Sequence, residues 1–271
     1  MKGIEGLVDA HCHLADPRFD GDRGEVLARA REAGITTFFQ GGVGPVEWQR
    51  QLSLAKREQG WLTSFGLHPW FVAQNDEQVC QEAFEQLKMV LHQAFALGEC
   101  GLDYHPRFAK DSRARQLRFL QAQLQLAQSC GKPLVLHVVR AHQPVQEQLD
   151  RFGPFKGIVH AFTGSYEIAK RYLDQGLILS IGGAVTQKGH HKLKDAVSRL
   201  PKEGFIIESD APDQAPTGFA GHQGRDGRIR NEPLAILQVA RTLADLRNTG
   251  EDEILKLTRD NFKAYFGLGA G

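Results

Sequence analysis

The sequence lacks several features that would assign it to a specialised class of protein. Its four cysteines contain no Cys-x-x-Cys pair, so we expect reduced thiols in a cytoplasmic protein rather than a disulfide framework. It has neither an apolar signal core nor a stretch long enough to span a bilayer, so no membrane segment is predicted. The formal net charge of +1 excludes a surface that is basic overall, so any polyanion would have to bind at a local basic patch.

The 271 residues are 41% hydrophobic, which is enough for a large core. Because no linker, low-complexity segment or internal repeat divides the chain, the sequence predicts a single domain over residues 1–271. Balanced charge and the absence of heptads favour a monomer.

Short apolar runs alternate with longer amphipathic stretches, a pattern typical of a parallel sheet. Eight runs over about 200 residues predict a (β/α)8 TIM barrel, and a doubly wound open sheet is the alternative. Strands are predicted at 7–10, 35–40, 62–67, 94–98, 134–138, 158–161, 177–181 and 205–207. Helices are predicted at 24–33, 47–58, 82–93, 116–129, 168–175 and 251–266.

His11 and His13 stand two residues apart at the end of the first predicted strand. Side chains at this spacing on a strand point the same way, so the two imidazoles project together. Such a pair suits a metal ion, although it also occurs as two ordinary polar residues at a strand end.

Four further strand ends carry the residue types that bind metals. Glu99 follows the fourth strand, His137 the fifth, His160 the sixth and Asp210 the eighth. In a barrel these strand ends meet at the mouth where active sites lie, so their joint occurrence predicts a metal site.

These donors exceed the three or four protein ligands of one catalytic zinc ion, which indicates two divalent cations. Glu99 is the natural bridge, and Asp210 also suits the role of a local base, so both are predicted to be catalytic. Imidazole favours zinc or another transition ion whereas Mg²⁺ prefers oxygen, so Zn²⁺, Mg²⁺ and Mn²⁺ stay open. The predicted sets are His11, His13, Glu99 and Asp210 for one cation, and Glu99, His137 and His160 for the other.

Seven motifs together resemble the TatD-type metal-dependent deoxyribonucleases, and the stretch 210–219 looks closest to the YjjV-like branch of that family. The resemblance implies a TIM barrel, dependence on a divalent cation and hydrolysis of phosphodiester bonds in DNA. It also implies ligand roles for the same six residues. The motifs are DAHCHL at 9–14, GLHP at 66–69, GECGLD at 98–103, LH at 136–137, HAFTG at 160–164, ESDAP at 208–212 and NEP at 231–233.

Substrate contacts are predicted at the same rim. His68 follows the third strand, Tyr104 the fourth and Arg140 the fifth, and Asp103 is placed to support a ligand imidazole. Arg225 and Arg228 lie in a long loop that suits a patch reading the backbone of single-stranded or frayed DNA, although solvated loop charges look the same.

Two other functions remain open from the sequence. A barrel metallohydrolase acting on an amide or lactone would share the His-x-His pair, but many such enzymes bridge their metals with a carboxylated Lys, where this chain has Glu99. A non-enzymic barrel that only uses metal for stability is the second alternative.

Overall fold

Strands and helices alternate along the chain in a computed structural model that describes residues 4–108, 110–223, 227 and 229–269. The strands are β1 (Leu7–Cys12), β2 (Ile35–Gln40), β3 (Trp61–Leu62), β4 (Ser64–Phe65), β5 (Ala96–Asp103), β6 (Leu134–Val139), β7 (Gly157–Val159), β8 (Ile178–Ile181), β9 (Phe205–Ile207), β10 (His222–Gln223) and β11 (Ile229–Arg230). The helices are α1 (Arg23–Glu32), α2 (Pro45–Ala55), α3 (Pro69–Gln74), α4 (Glu77–Val90), α5 (Ser112–Cys130), α6 (His142–Phe152), α7 (Tyr166–Asp174), α8 (His191–Arg199), α9 (Ala235–Arg247) and α10 (Glu251–Phe266).

The strands from β1 to β9 run parallel in sequence order and close into a (β/α)8 barrel, with β3 and β4 sharing one position. The barrel closes where the end of β1 meets the chain that follows β9. Asp210 N–H donates to His11 O at 2.9 Å, and His13 N–H donates to Ala211 O at 2.6 Å. The hydroxyl of Ser209 also donates to the buried Asp9 carboxylate. The two ends of the sheet therefore join directly beside the predicted metal ligands.

Each of the eight apolar runs overlaps a strand, so the predicted barrel is confirmed, with two local differences. The third strand is interrupted at Thr63, whose carbonyl accepts hydrogen bonds from Phe95 and Ala96 at the entry to β5. The fourth predicted strand continues past its apolar run to Asp103, because it stays paired with β6 as far as Val139. Glu99 consequently lies within a strand rather than after it.

One layer of buried side chains fills the barrel interior below the mouth. Every strand position except the third contributes to this layer, and so does α10. Phe39 on β2 packs against Phe262 of α10, with 5.9 Å between the ring centroids. A larger cluster lies between the strands and the surrounding helices. The apolar interior supports the strands from below and leaves their carboxyl ends to polar side chains. The inner layer contains Val8, Ala10, Phe39, Ala96, Val135, Ile158, Ile178, Ile206 and Phe262.

Within the described ranges, none of the helices combines the length and apolar character needed to cross a membrane. The long connection after β9 contains the short antiparallel pair β10 and β11.

Candidate metal centre

Glu99 lies at the centre of the barrel mouth, 1% exposed, and its two oxygens face different groups of imidazoles. Its Oε1 is 3.1 Å from His13 Nε2 and 3.5 Å from His11 Nε2. Its Oε2 is 2.7 Å from His160 Nε2 and 3.5 Å from His137 Nδ1. The sequence expected Glu99 to face across the barrel between two ligand groups, and the side chains have this arrangement.

Asp210 stands on the same side of Glu99 as the first histidine pair. Its Oδ1 is 3.7 Å from His13 Nε2 and 3.8 Å from His11 Nε2. Its other oxygen accepts a hydrogen bond from Gln214 at 2.5 Å. The residue has a left-handed backbone (φ 55°), which turns its side chain towards the mouth directly after the seam of the barrel. All six predicted ligands therefore converge on one buried cluster.

Carboxylates lie at the far nitrogens of two of these imidazoles. Glu47, in the first turn of α2, has its Oε1 3.4 Å from His13 Nδ1, and its Oε2 accepts the Val43 N–H. Asp103 has its Oδ2 3.4 Å from His137 Nε2. A carboxylate in this position fixes the tautomer and orientation of a metal-binding imidazole. The outer nitrogens of His13 and His137 are thus held while their inner nitrogens face Glu99.

The electrostatics of the cluster follow from burial and from its opposite charges. Burial acts to raise the pKa of Glu99, but the surrounding imidazoles outweigh it and hold that pKa well below its usual value. For His13 and His160, burial acts to lower the pKa, but Glu99 dominates and raises both well above the ordinary imidazole value. A divalent cation would compete with these protons for the same nitrogens.

Three further groups in or beside the cluster have pKa shifts of a different kind. Burial, reinforced by His137, lowers the pKa of His68 to about 3, which keeps its ring neutral. Burial raises the pKa of Asp210. Burial also acts to raise the pKa of Asp103, but hydrogen bonds from His137 and Trp70 lower it to about 2.

Several polar atoms of the cluster have no hydrogen-bond partner, which is costly for buried groups. Within the described residues, both ring nitrogens of His11, Oε1 of Glu99 and Nδ1 of His160 are in this state. Gly41 leaves the space beside them, because a Cβ there would lie 2.5 Å from His13 Cε1 and 2.6 Å from Glu99 Oε1. These residues fit a cation coordinated by nitrogen and carboxylate oxygen. In the described part of the chain, three sets have ligand atoms within 4.8 Å of one another: His11, His13 and Glu99; His11, His160 and Asp210; and His68, Glu99 and His137.

The structure places some of the predicted substrate-contacting residues at the cavity and others away from it. His68 lines the cavity that contains the cluster, whereas Tyr104 and Arg140 are not among the described residues that line it. The ring of Tyr104 packs beneath the Arg113 guanidinium at 4.7 Å, and Arg140 is exposed with φ 53°. Substrate contact by these two residues stays a prediction without geometric support. Arg225 and Arg228 lie outside the described residues.

The sequence did not identify several side chains that line or support the site. Arg107 stacks on Trp70, with its guanidinium 4.2 Å from the indole centroid, and lies 3.7 Å from Asp103 Oδ2. Glu208 has its Oε1 3.7 Å from His160 Nδ1. The sequence feature that could have identified Glu208 is its position two residues before Asp210. Glu47 lies in the first turn of the helix after β2, and Arg107 lies in the loop after β5. Hydrophobic periodicity gives no indication of functional residues at such positions.

The barrel and its cluster of imidazoles and carboxylates at the mouth define a class, the barrel metallohydrolases. Residues 8–267 match the sequence model of the family described as TatD related DNase. The chain therefore belongs to this family, as its motifs indicated.

Three relatives show the range of this similarity. The chain is 31% identical to the uncharacterized metal-dependent hydrolase YjjV of Escherichia coli, over 97% of this chain and 98% of that protein. It is 29% identical to the deoxyribonuclease TATDN3 of Homo sapiens, over 96% and 94% of the two chains. It is 30% identical to the 3'-5' ssDNA/RNA exonuclease TatD of Erwinia amylovora, over 97% and 100%. The crystal structure of YjjV superposes with a TM-score of 0.85.

Replacing Gly41 with alanine tests whether the space beside the cluster is needed for a cation. The new Cβ would lie 2.5–2.6 Å from side-chain atoms of His13, Glu99 and His11, so these three donors must shift and we expect zinc affinity to fall about 10–100-fold. Isothermal titration with Zn²⁺ measures this. Gly189→Ala is the matched control, since a Cβ at that exposed position meets nothing within 4 Å. Unchanged zinc affinity in Gly41→Ala would contradict the assignment.

Proposed function

We propose that this chain is a divalent-metal-dependent phosphodiesterase that hydrolyses DNA, acting as one domain over residues 1–271. The observation that carries the proposal is Glu99, whose two oxygens face separate groups of imidazoles as a carboxylate bridging two cations would. Membership of the TatD related DNase family and the nuclease names of two relatives support the phosphodiester as the bond that is cleaved.

Two cations fit the donors present. We assign His11, His13, Glu99 and Asp210 to one cation, and Glu99, His137 and His160 to the other. The imidazole-rich donor set favours zinc or another imidazole-binding transition ion over magnesium. When bound, such a pair of ions acts as a Lewis acid, lowers the pKa of water to about 7 and neutralises charge on phosphate oxygens.

The protein's own groups orient the reactants. Asp210 accepts a proton from the attacking water, because one oxygen of its carboxylate faces the cluster. Gln214 holds the other oxygen of Asp210. Asp103 and Glu47 keep the ligand imidazoles of His137 and His13 in place.

The amide or lactone alternative shares the barrel and the histidines. It is less well supported, because the fourth barrel strand carries Glu99 where many such enzymes carry a carboxylated Lys. The family to which the chain belongs is also described by DNase activity. The two alternatives differ in the bond that is cleaved, which one substrate panel resolves.

The size and the lining of the cavity around the cluster suit the end of a single strand of DNA. Its volume is about 840 Å³, within the range of about 300–1,000 Å³ typical of pockets that enclose small ligands. One side is apolar and Val46 there is 80% exposed, which suits stacking of an unpaired base. The apolar residues that line the cavity include Val43, Pro45, Val46, Phe71 and Val79.

Positive charge at the rim would contact the phosphates. Arg18 and Arg107 line the cavity and are half exposed. Arg18, however, is ion-paired with Asp16 and Asp213, and Arg230 is ion-paired with Asp22 and Glu232, so both belong to the scaffold and Arg107 is the rim cation that would reach a phosphate. We also propose that the protein acts as a cytoplasmic monomer, which the four free cysteines and the balanced charge support.

The proposed reaction is tested by cation removal. We expect protein freed of metal by a chelator to lose cleavage of a labelled single-stranded DNA oligonucleotide by at least about 10³-fold, because charge on the phosphate is no longer neutralised. Added Zn²⁺, Mn²⁺ or Mg²⁺ should restore it, and elemental analysis of unchelated protein identifies the ion. Parallel assays use an amide and a lactone. Cleavage of only the amide or lactone, or DNA cleavage that survives chelation, contradicts the proposal.

The base role of Asp210 is tested by Asp210→Asn. The amide retains an oxygen that can ligate but accepts no proton, so we expect kcat to fall about 10²–10⁴-fold at saturating metal. Asp195→Asn, at an exposed position on α8, is the matched control and should keep its rate. Cation content is measured for both variants. An unchanged kcat in Asp210→Asn rules out the base role.

The apolar side of the cavity is tested by Phe71→Ala. We expect KM for a single-stranded oligonucleotide to rise about tenfold, because a stacked base contributes about 1–3 kcal/mol. The same substrate with an abasic terminal residue should show no such rise. Phe84→Ala, on α4 and outside the cavity, is the control. Equal effects of Phe71→Ala on both substrates would show that no base stacks on the apolar side of the cavity.

A further inference from the structure

His68 is held rigidly at the start of α3. Its backbone N–H donates to Val43 O at 3.1 Å, and its carbonyl accepts from Val72 N–H at 3.1 Å. The residue before it, Leu67, is clamped at both its backbone polar groups by the buried amide of Gln123. The imidazole is 2% exposed. The ring therefore has one orientation within the cavity wall.

The hydrogen bonds of the ring identify its tautomer. Nδ1 of His68 accepts the backbone N–H of Trp70 at 2.9 Å, as the N-cap of the helix. An imidazole nitrogen that accepts a hydrogen bond carries no proton, and a neutral imidazole has one N–H. Nε2 of His68 therefore carries the hydrogen and has no lone pair to offer a cation. Distance alone would group His68 with Glu99 and His137 as ligands, and the tautomer removes it from that group.

The N–H of His68 points at atoms that already have a role. Its Nε2 is 3.2 Å from His137 Nδ1 and 3.5 Å from Glu99 Oε2. Both of these atoms are assigned to the second cation under the proposed function, and His160, whose Nε2 faces Glu99, completes that set. Coordination uses the only lone pair of His137 Nδ1, and Glu99 Oε2 at 3.5 Å is a long contact, so the buried donor is available to an acceptor that enters the cavity.

We propose that His68 is a catalytic residue that donates a hydrogen bond from Nε2–H to an oxygen of the reacting phosphodiester, and that it is not a ligand of either cation. A phosphodiester brings oxygens to the mouth of the cavity that His68 lines. A donor already oriented towards them strengthens as negative charge develops during reaction. The inference rests on the proposed function for its substrate, while the exclusion of His68 as a ligand rests on the ring alone.

The first experiment asks which imidazoles bind the ion, without using activity. The protein is labelled with ¹⁵N-histidine and loaded with ¹¹³Cd²⁺, and scalar couplings between cadmium and ring nitrogen are recorded. We expect couplings to His11, His13, His137 and His160, and none to His68, whose Nε2 should keep its proton signal. A cadmium coupling to His68 overturns the proposal.

The second experiment uses His68→Asn. Asparagine is a favourable N-cap, so its side-chain oxygen can accept the Trp70 N–H and preserve the start of α3, while the N–H at the position of Nε2 is lost. We expect two equivalents of Cd²⁺ to bind as in the wild type. For a single-stranded oligonucleotide at saturating metal, kcat should fall about 10²–10³-fold, with KM changed less than threefold.

The control is His142→Asn, another largely buried imidazole, which hydrogen-bonds to Tyr172 outside the cavity. Its kcat should stay within twofold of the wild type. Loss of one cadmium equivalent in His68→Asn, or a kcat equal to that of the control, overturns the proposal. If the wild type cleaves no DNA, the proposed function fails, and the cadmium couplings still decide whether His68 is a ligand.

Discussion

A carboxylate buried at the centre of a barrel is the constraint on which the rest of the mouth depends. Glu99 is 1% exposed, and an isolated charge in such a place would be expelled or neutralised. Imidazoles on both sides of Glu99 hold its pKa well below the usual value. The space beside Gly41 and the unpartnered nitrogens of His11 belong to the same arrangement. The surrounding residues are therefore organised to keep a negative charge where two cations would need it.

The cluster could be predicted from the sequence because parallel strands impose a geometry on their ends. Once eight strands are identified, His137, His160 and Asp210 must approach one another, since the carboxyl ends of a barrel meet at one mouth. The break at Thr63 and the extension of the strand through Glu99 were not predicted, because both result from pairing with neighbouring strands and not from local hydropathy.

Side chains beyond the strands could not be predicted in the same way. Tyr104 and Arg140 follow strands directly, yet neither lines the cavity, because the direction of a side chain after a strand depends on how the loop turns. Glu47 and Arg107 reach the site from a helix and a loop. For His68 the sequence indicated the position, but the tautomer required the hydrogen bond from Trp70.

The seam where β1 meets the chain after β9 has a consequence for how the centre forms. Asp9 and Ser209 hydrogen-bond across this seam although 200 positions separate them in the chain, and His11 and Asp210 stand beside them. Such a non-local pairing forms late, because the intervening chain must first be ordered. Under the proposed assignment, the donors for the first cation are complete only when the barrel has closed. On that assignment, a ribosome-bound chain that has not yet released residue 210 would hold an incomplete donor set.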